Sequence, residues 1–300
     1  MKTAGLIGLG TIATHYIKGL EKCSYLQLCA VSDVDEQARA RSMYKKYPFF
    51  NDYKEMLEKA KPDIVIICTP PKDHFDIARY CLEHQTDVLM EKPVTLSIEE
   101  FDKLCDVAEK NGRLFKTMFH WQNGIELRSF KNDYPTKDIR EISVFVDDPY
   151  SSDSCTIDKE YHSLMGAWID SGVNALSMIH MWLPFNDYKI LHTETIRCPQ
   201  SNLPLYAYAK LQIDGVIVNI TIDWRNKKNH KESLITFSDK TVRICHSEQS
   251  ITCGEITTSY YRMPRLDEHY YNMFTNLNDT SDISQSRSIH EVLLEVNKAL

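Results

Sequence analysis

The first 120 residues alternate short apolar runs with amphipathic segments, and this alternation restricts the fold more than any other feature of the chain. It predicts strands at 3–7, 26–32, 63–68, 87–90 and 114–118, separated by helices at 12–22, 35–46, 74–84 and 97–111. Helices between successive strands return the chain to the same end of a sheet through right-handed crossovers. We therefore expect an α/β domain with a doubly wound parallel sheet.

The remaining residues follow a different pattern. A helix near 122–131 and a strand near 139–146 precede a long polar stretch and a helix at 166–179. Strand-like runs follow at 189–197, 205–213, 216–223, 232–238 and 240–245, with closing helices near 268–275 and 287–299. Consecutive strands with little helix between them predict an α+β domain with an open, mostly antiparallel sheet. We divide the chain into domains 1–120 and 121–300.

Composition excludes several classes of function. The chain has 35 Lys and Arg against 42 Asp and Glu and carries no basic block, so we do not expect a nucleic-acid partner. Its nine cysteines are odd in number and never form a Cys-x-x-Cys pair, which argues against a disulfide framework and a metal site. Without an apolar signal region or a run of about 20 apolar residues, we expect a soluble, cytoplasmic protein with no membrane contact.

A glycine-rich turn lies between the first predicted strand and helix, in the sequence "AGLIGLGTIATHYIKGL". Such a turn lets the backbone approach a pyrophosphate, which the free N–H groups and dipole of the next helix can hold. The second predicted strand ends at an aspartate, about 20 residues further on, where a carboxylate would bind the ribose. The alternative is a tight turn beside a solvated aspartate. We assign dinucleotide binding to Gly8, Gly10, Thr11, Ile12 and Asp33.

The same aspartate favours NAD over NADP. Asp33 accepts hydrogen bonds from ribose hydroxyls and repels a 2'-phosphate, and Val34 offers no compensating cation. Arg39 and Arg41 follow on the next predicted helix, so NADP stays open as an alternative cofactor.

Polar residues follow the third and fourth of these strands, in "CTPPKDH" and "MEKPV". Ligands of open α/β sheets lie outside the carboxyl ends of the strands. Pro93 holds the preceding residue extended and so aims the side chain of Lys92. The alternative is a surface lysine before a loop proline. We assign further cofactor contacts to Thr69, Pro70, His74, Glu91 and Lys92.

The stretch "GAWIDSGVNALSMI" places Asp170 and Asn174 one helical turn apart, so both side chains face the same ligand or neighbour. A structural alternative makes Asp170 a helix N-cap. Gly172 between them permits close approach of either a ligand or a packed neighbour, at a cost of about 1 kcal/mol relative to Ala.

Together, "GLIGLGTIA", "CTPPKDHFDIARYCLEH", "DVLMEKPVTLS" and "MGAWIDSGVNALSMI" resemble the glucose-fructose oxidoreductase/inositol dehydrogenase/MocA family. The resemblance implies a Rossmann domain and a substrate domain whose open sheet packs against another subunit, giving a homodimer or homotetramer. It also implies oxidation of a sugar or cyclitol hydroxyl, or the reverse reduction, with NAD(P). The family's lysine falls on Lys92 and its aspartate on Asp170, but its general-base histidine falls on Asn174.

An asparagine amide orients a hydroxyl but does not accept its proton near neutral pH. The base is then Asp170 or Lys92, whose pKa values a site can shift. We favour Lys92 and Asn174 holding the reacting oxygen while Asp170 takes the proton. An anomeric hydroxyl is more acidic than a secondary alcohol, so we expect oxidation at C1 of an aldose to a lactone. The Asp-x-Gly-x-Asn arrangement and "FHWQNGIELRSF" resemble the L-arabinose/D-galactose 1-dehydrogenase branch.

Other residues have two interpretations. His120 contacts the substrate or is held structurally, and Tyr161 and His162 belong to a long polar loop that could act as a lid. Trp224 is more typical of a sheet core. Two other functions also remain open: an oxidoreductase for another sugar or cyclitol carbon, including a keto-sugar reductase, and a non-catalytic protein that senses NAD(H).

Overall fold

The computed structural model describes residues 1–41, 43–153, 155–275, 277 and 283–300. They form two compact units, one of Met1–Phe119 with Tyr270–Arg287 and the other of His120–His269 with Ser288–Leu300. The division made from the sequence assigned everything after residue 120 to the second domain. Tyr270 and Phe274 lie against the helix that follows the glycine turn, and this packing groups them with the first unit.

The described part of the first unit contains a six-stranded parallel sheet. Its strands are β1 (Lys2–Ile7), β2 (Leu26–Ser32), β3 (Phe49–Phe50), β4 (Ile64–Ile67), β5 (Asp87–Glu91) and β6 (Phe115–Met118), in the order β3-β2-β1-β4-β5-β6. The predicted doubly wound sheet is confirmed. The strand order reverses between β1 and β4, and in such sheets a crevice forms outside the carboxyl ends of the strands at this point.

Helices flank these strands: α1 (Ala13–Leu20), α2 (Tyr53–Ala60), α3 (Pro71–Glu83) and α4 (Ile98–Asn111). Helix α4 shows why the sequence forms them. The Ser97 hydroxyl accepts a hydrogen bond from the Glu100 N–H, and Gly112 ends the helix with φ of 61°. Phe101, Leu104 and Ala108 recur at helical spacing and are buried.

The predicted helix at 35–46 is wrong. The structure has a short 3-10 helix at Glu36–Ala40, after which the backbone turns extended at Arg41. Arg41 and the buried Tyr44 both donate hydrogen bonds to the carbonyl oxygen of Leu9, at 2.6 and 3.3 Å. These tertiary contacts replace the second half of the helix. Residue 42 lies outside the described residues. Strand β3 and helix α2, which were not predicted, complete this connection.

The described part of the second unit contains an eight-stranded sheet. Its strands are β7 (Glu141–Asp147), β8 (Tyr188–Arg197), β9 (Pro204–Ile213), β10 (Val216–Asp223), β11 (His230–Thr236), β12 (Thr241–Cys245), β13 (Ser250–Cys253) and β14 (Ile256–Ser259), in the order β14-β13-β12-β11-β7-β10-β9-β8. Each pair is antiparallel except β7 with β10. The open, mostly antiparallel sheet is confirmed, although β13 and β14 were not predicted.

The predicted helix at 166–179 has two parts. A π-helical turn spans Trp168–Gly172, and helix α6 continues over Val173–His180. The other helices are α5 (Ile125–Asp133), α7 (Arg265–Thr275) and α8 (Ile283–Ala299), and the last two each contribute residues to both units. Among the residues described, there is no helix with the length and apolar character needed to cross a membrane.

Candidate functional site

The turn after β1 requires glycine at its first position. Gly8 has φ of +87°, and a Cβ atom there would lie 2.7 Å from the backbone carbon of Cys68 and the backbone nitrogen of Thr69. Its own N–H donates to the carbonyl oxygen of Ser32 at 2.9 Å. Gly8 therefore fixes a close approach between the ends of β1 and β4.

No contact within the described chain requires glycine at the second position, Gly10. A Cβ atom at Gly10 would meet no described atom within 4 Å. Helix α1 begins beyond it at Ala13, which is fully buried, and no side chain caps its first turn at Ile12. Open space over a glycine and an uncapped helix N-terminus fit a dinucleotide pyrophosphate.

We expect Gly8→Ala and Gly10→Ala to have different effects. The positive φ at Gly8 alone costs an alanine about 1–2 kcal/mol, and the backbone clash adds to this, so Gly8→Ala should lower both Tm and NADH affinity. Gly10→Ala should keep the wild-type Tm and weaken only NADH binding. Thermal unfolding and NADH fluorescence titration measure both effects. Equal losses of Tm in the two variants would contradict this interpretation.

Asp33 follows β2 and supports the same turn. Its Oδ2 accepts a hydrogen bond from the Leu9 N–H at 2.6 Å, and its Oδ1 accepts one from the Asp35 N–H at 2.8 Å. Each carboxylate oxygen accepts about two hydrogen bonds, which leaves capacity for the ribose hydroxyls. Arg41 is held at the Leu9 carbonyl, and Arg39 lies 5.9 Å from the Phe49 ring.

His74 joins the loops that follow β4 and β5. It is completely buried, with Nε2 2.8 Å from the Thr69 carbonyl oxygen and Nδ1 2.8 Å from the Pro93 carbonyl oxygen. Burial lowers its pKa. The hydroxyl oxygen of Thr69 is also buried and has no hydrogen-bond partner in the described chain. Thr69, which Pro70 links to helix α3, therefore offers a polar group to a ligand, whereas His74 orients the loops.

The Glu-Lys-Pro segment lies at the end of β5 in a buried setting. Glu91 accepts a hydrogen bond from the Tyr16 hydroxyl at 2.5 Å, and burial raises the pKa of Tyr16 well above its usual value. Lys92 is only 9% exposed, and the Lys92–Pro93 peptide bond is cis. Glu91 thus contacts helix α1, and the residue after it is a buried lysine.

In the second unit, Asp170 belongs to the π-helical turn and does not cap a helix. The turn begins after Ala167 and has no side-chain cap, which removes the N-cap alternative. Gly172 has a packing role, since a Cβ there would lie 3.0 Å from the indole ring of the buried Trp168. π-Helical turns occur frequently at functional sites.

Asn174 presents an unused acceptor. It is 7% exposed, and its Nδ2 donates to the backbone oxygen of Asp170 at 3.3 Å. Its buried Oδ1 has no hydrogen-bond partner among the described residues. Such an orphaned acceptor is costly unless a ligand satisfies it.

Two further groups interact with the charge of Asp170, and the sequence analysis missed both. Burial raises the pKa of Tyr150, and the carboxylates of Asp148 and Asp170 raise it further. Tyr150 therefore stays protonated and is a donor rather than a base. Lys231 is 4% exposed, and its ammonium group also interacts with Asp170. No short sequence motif connects these residues.

The secondary candidates lie in the same unit. His120 is buried with its Nδ1 3.4 Å from the Nδ1 of His269. His162 is exposed in a 3-10 helix at Lys159–Leu164, and its Nε2 lies 3.0 Å from the Ile157 carbonyl oxygen. The Tyr161 ring stacks on Tyr150 at 4.1 Å. Trp224 is fully buried.

Buried histidines should make the fold sensitive to acid. Burial lowers the pKa values of His74, His246 and His269, so these rings stay neutral while the unfolded chain takes up protons below about pH 6.5. The contribution of these neutral rings to the free energy of unfolding is present in full above that pH. It is lost as the pH falls towards the folded-state pKa values, at up to about 1.4 kcal/mol per pH unit for each ring. We expect Tm to fall between pH 6.5 and 5.

Substitution of one ring tests this account. His269→Gln should reduce the slope of Tm against pH, while His192→Gln, at an exposed ring, should leave it unchanged. A Tm that stays constant from pH 7 to 5 in the wild type would contradict the prediction. In the described part of the chain, no group of three or more His, Cys, Asp or Glu side chains is arranged to hold a metal ion.

A protein-family model matches the chain over most of the first unit. Residues 2–119 match the model of the glucose-fructose oxidoreductase/inositol dehydrogenase/MocA family, described as an oxidoreductase family with an NAD-binding Rossmann fold. The resemblance inferred from the sequence is supported over this region, and the expected Rossmann domain for NAD is confirmed.

Curated relatives match over a similar region. D-glucoside 3-dehydrogenase of Escherichia coli K12 is 29% identical over 144 residues, covering 46% of this chain and 40% of that protein. Myo-inositol 2-dehydrogenase of Thermotoga maritima is 30% identical over 119 residues, covering 39% of this chain and 35% of that protein. The matches thus span well under half the length of these dehydrogenases.

Structural similarity to known proteins covers more of the chain than sequence similarity does. The crystal structure of the dehydrogenase MviM from Clostridium difficile has a TM-score of 0.83 at 15% identity, covering 100% of this chain and 99% of that chain. The likeness shows a shared fold across the whole chain.

Proposed function

We propose that the chain is an NAD-dependent oxidoreductase that oxidises a sugar-like alcohol, and that the reacting carbon is C1 of an aldose. The observation that carries the finer assignment is Asn174, a buried amide whose Oδ1 lacks a partner in the described chain. It accepts a hydrogen bond from a hydroxyl but cannot take its proton. The more acidic anomeric hydroxyl reduces the need for a strong base.

The proposed roles follow from the chemistry of the side chains. Oxidation of the alcohol moves a hydride from carbon to the nicotinamide ring, which supplies the redox chemistry. Lys92 donates a hydrogen bond to the reacting oxygen, and Asp170 takes the proton from the hydroxyl as the carbonyl bond forms. Tyr150 and Asn174 orient the substrate. The product is a lactone, as in the L-arabinose/D-galactose 1-dehydrogenase branch that the sequence resembles.

A second candidate is oxidation at a secondary ring hydroxyl, or the reverse reduction of a keto-sugar. The names of the two relatives favour it, because one is a D-glucoside 3-dehydrogenase and the other a myo-inositol 2-dehydrogenase. These matches cover mainly the first unit, whereas Asp170 and Asn174 lie in the second.

Isotope transfer separates the two candidates. The protein is incubated with NAD and aldoses that carry deuterium at C1, and the mass of the reduced nicotinamide is measured. Transfer of deuterium supports C1 oxidation. Formation of unlabelled NADH would instead move the reaction to another carbon.

We also propose that a second copy of the chain covers the open sheet. Phe145 on β7 and Ile196 on β8 are 37% and 44% exposed, and the strand pairing places them on one face with Tyr206 and Tyr208. Exposed apolar residues on one sheet face are typical of an interface. The mass in solution tests this, since a monomer at micromolar concentration would contradict it.

A further inference from the structure

The second unit contains a buried ion pair between Lys231 on β11 and Asp148, the residue after β7. The ammonium group of Lys231 donates hydrogen bonds to Asp148 Oδ1 at 2.6 Å, to Asn229 Oδ1 at 2.7 Å and to the Asp147 carbonyl oxygen at 3.2 Å. Both members of the pair are 4% exposed. An ammonium group has three protons, and all three have acceptors. The three acceptors hold the Lys231 ammonium group in one place, and the Asp148 carboxylate opposes the lowering of its pKa by burial.

The same ion pair is hydrogen-bonded to the π-helical turn through Asp148. The second carboxylate oxygen of Asp148 accepts a hydrogen bond from the Ser171 hydroxyl at 3.1 Å, and the indole Nε1 of Trp224 lies 3.5 Å from that hydroxyl. Ser171 directly follows Asp170. Asp148, the residue after β7, and Trp224, the residue after β10, thus both contact the Ser171 side chain. Lys231 on β11 is connected to Ser171 through Asp148.

Stability alone is a weak reason for such a pair. Removing two charges from water costs free energy that their attraction does not always repay, and apolar replacements of similar volume are often neutral or stabilising. A π-helical turn is also an uncommon backbone form. Through its hydrogen bond to Ser171, the ion pair can hold this turn in place.

We propose that Lys231 and Asp148 are positioning residues, which hold the π-helical turn through Ser171 and so fix the direction of the Asp170 carboxylate. The catalytic consequence rests on the proposed function. None of the Lys231 hydrogen bonds given above goes to Ser171, so Lys231 holds the turn through Asp148. Its charge also interacts with that of Asp170 directly.

Two variants remove the connection in different ways. Ser171→Ala deletes the hydroxyl and leaves the ion pair intact. Lys231→Met with Asp148→Leu replaces the pair by apolar side chains, so that no buried charge remains alone. Ser233→Ala is the matched control, since Ser233 is a buried serine on β11 whose hydroxyl contacts His246 at 2.8 Å.

Hydrogen–deuterium exchange gives a readout that does not depend on activity. We expect peptides covering 168–174 to exchange about fivefold to tenfold faster in both variants, the factor that corresponds to one hydrogen bond. The control should exchange there as the wild type does. Unchanged exchange in both variants would overturn the positioning role.

Kinetics then test the consequence for the reaction. With a substrate that the wild type oxidises, we expect kcat to fall at least about tenfold while KM and NADH affinity stay within about twofold, as for an interaction made mainly in the transition state. The Ser233→Ala control should keep the wild-type kcat.

The outcomes are separable. Faster exchange with unchanged kcat would overturn the catalytic part of the proposal. Absence of wild-type turnover on every substrate would reject the proposed function instead, and the exchange data would still decide whether the pair positions the turn.

Discussion

Lys92→Met should lower kcat by about a hundredfold to a thousandfold, the range seen when one donor to a developing oxyanion is removed. The ammonium group of this buried lysine is assigned to the reacting oxygen, and methionine retains the length of the side chain without a donor. NADH affinity should stay close to that of the wild type. Initial rates and NADH fluorescence titration measure the two effects separately.

Lys72→Met provides the control, since this exposed lysine lies on helix α3 of the same unit. It should retain the wild-type kcat. If Lys92→Met kept full activity, the Glu-Lys-Pro segment would be a structural loop, and the carried-over role of its lysine would be wrong.

Asp170→Asn should lower kcat by about a hundredfold to ten-thousandfold, the range for loss of a positioned general base. Asparagine keeps the size of the side chain and so isolates the lost proton acceptor. Asn174, four residues away, cannot take the proton instead, because an amide is not a base near neutral pH. The measurement is kcat and KM across pH with the best substrate.

The matched variant for this unit is Asp239→Asn, at an exposed residue after β11. It should behave as the wild type. Full activity in Asp170→Asn would leave Asp170 as a structural residue of the π-helical turn and would require another base.

Local sequence signals predicted all the described strands of the parallel sheet except β3, because each of the others carries its own apolar run. The glycine turn was also predictable, since Gly8 and Asp33 belong to a spacing with a physical reason at each position. Helix 35–46 was wrong because Arg41 and Tyr44 bind the distant Leu9 carbonyl. Tertiary contacts override helical pattern in such segments.

Helix α2 had a signal that was overlooked. Asp52 caps it by accepting a hydrogen bond from the Lys54 N–H at 2.9 Å, and the buried Met56 and Leu57 follow at helical spacing from Tyr53. By contrast, nothing local in the sequence relates Lys231 to Asp148, which are 83 residues apart. Their pairing depends on the register between β7 and β11.

The most direct test of the account is the initial rate of NADH formation by the intact chain. Aldoses, ketoses and cyclitols are each supplied with NAD and, in parallel, with NADP, and the Lys92→Met variant serves as the blank. The account predicts turnover of at least one aldose with NAD, faster than with NADP and at least about a hundredfold slower in the variant. Binding of NADH without turnover of any substrate, in either direction, would contradict it and would favour a protein that senses the dinucleotide.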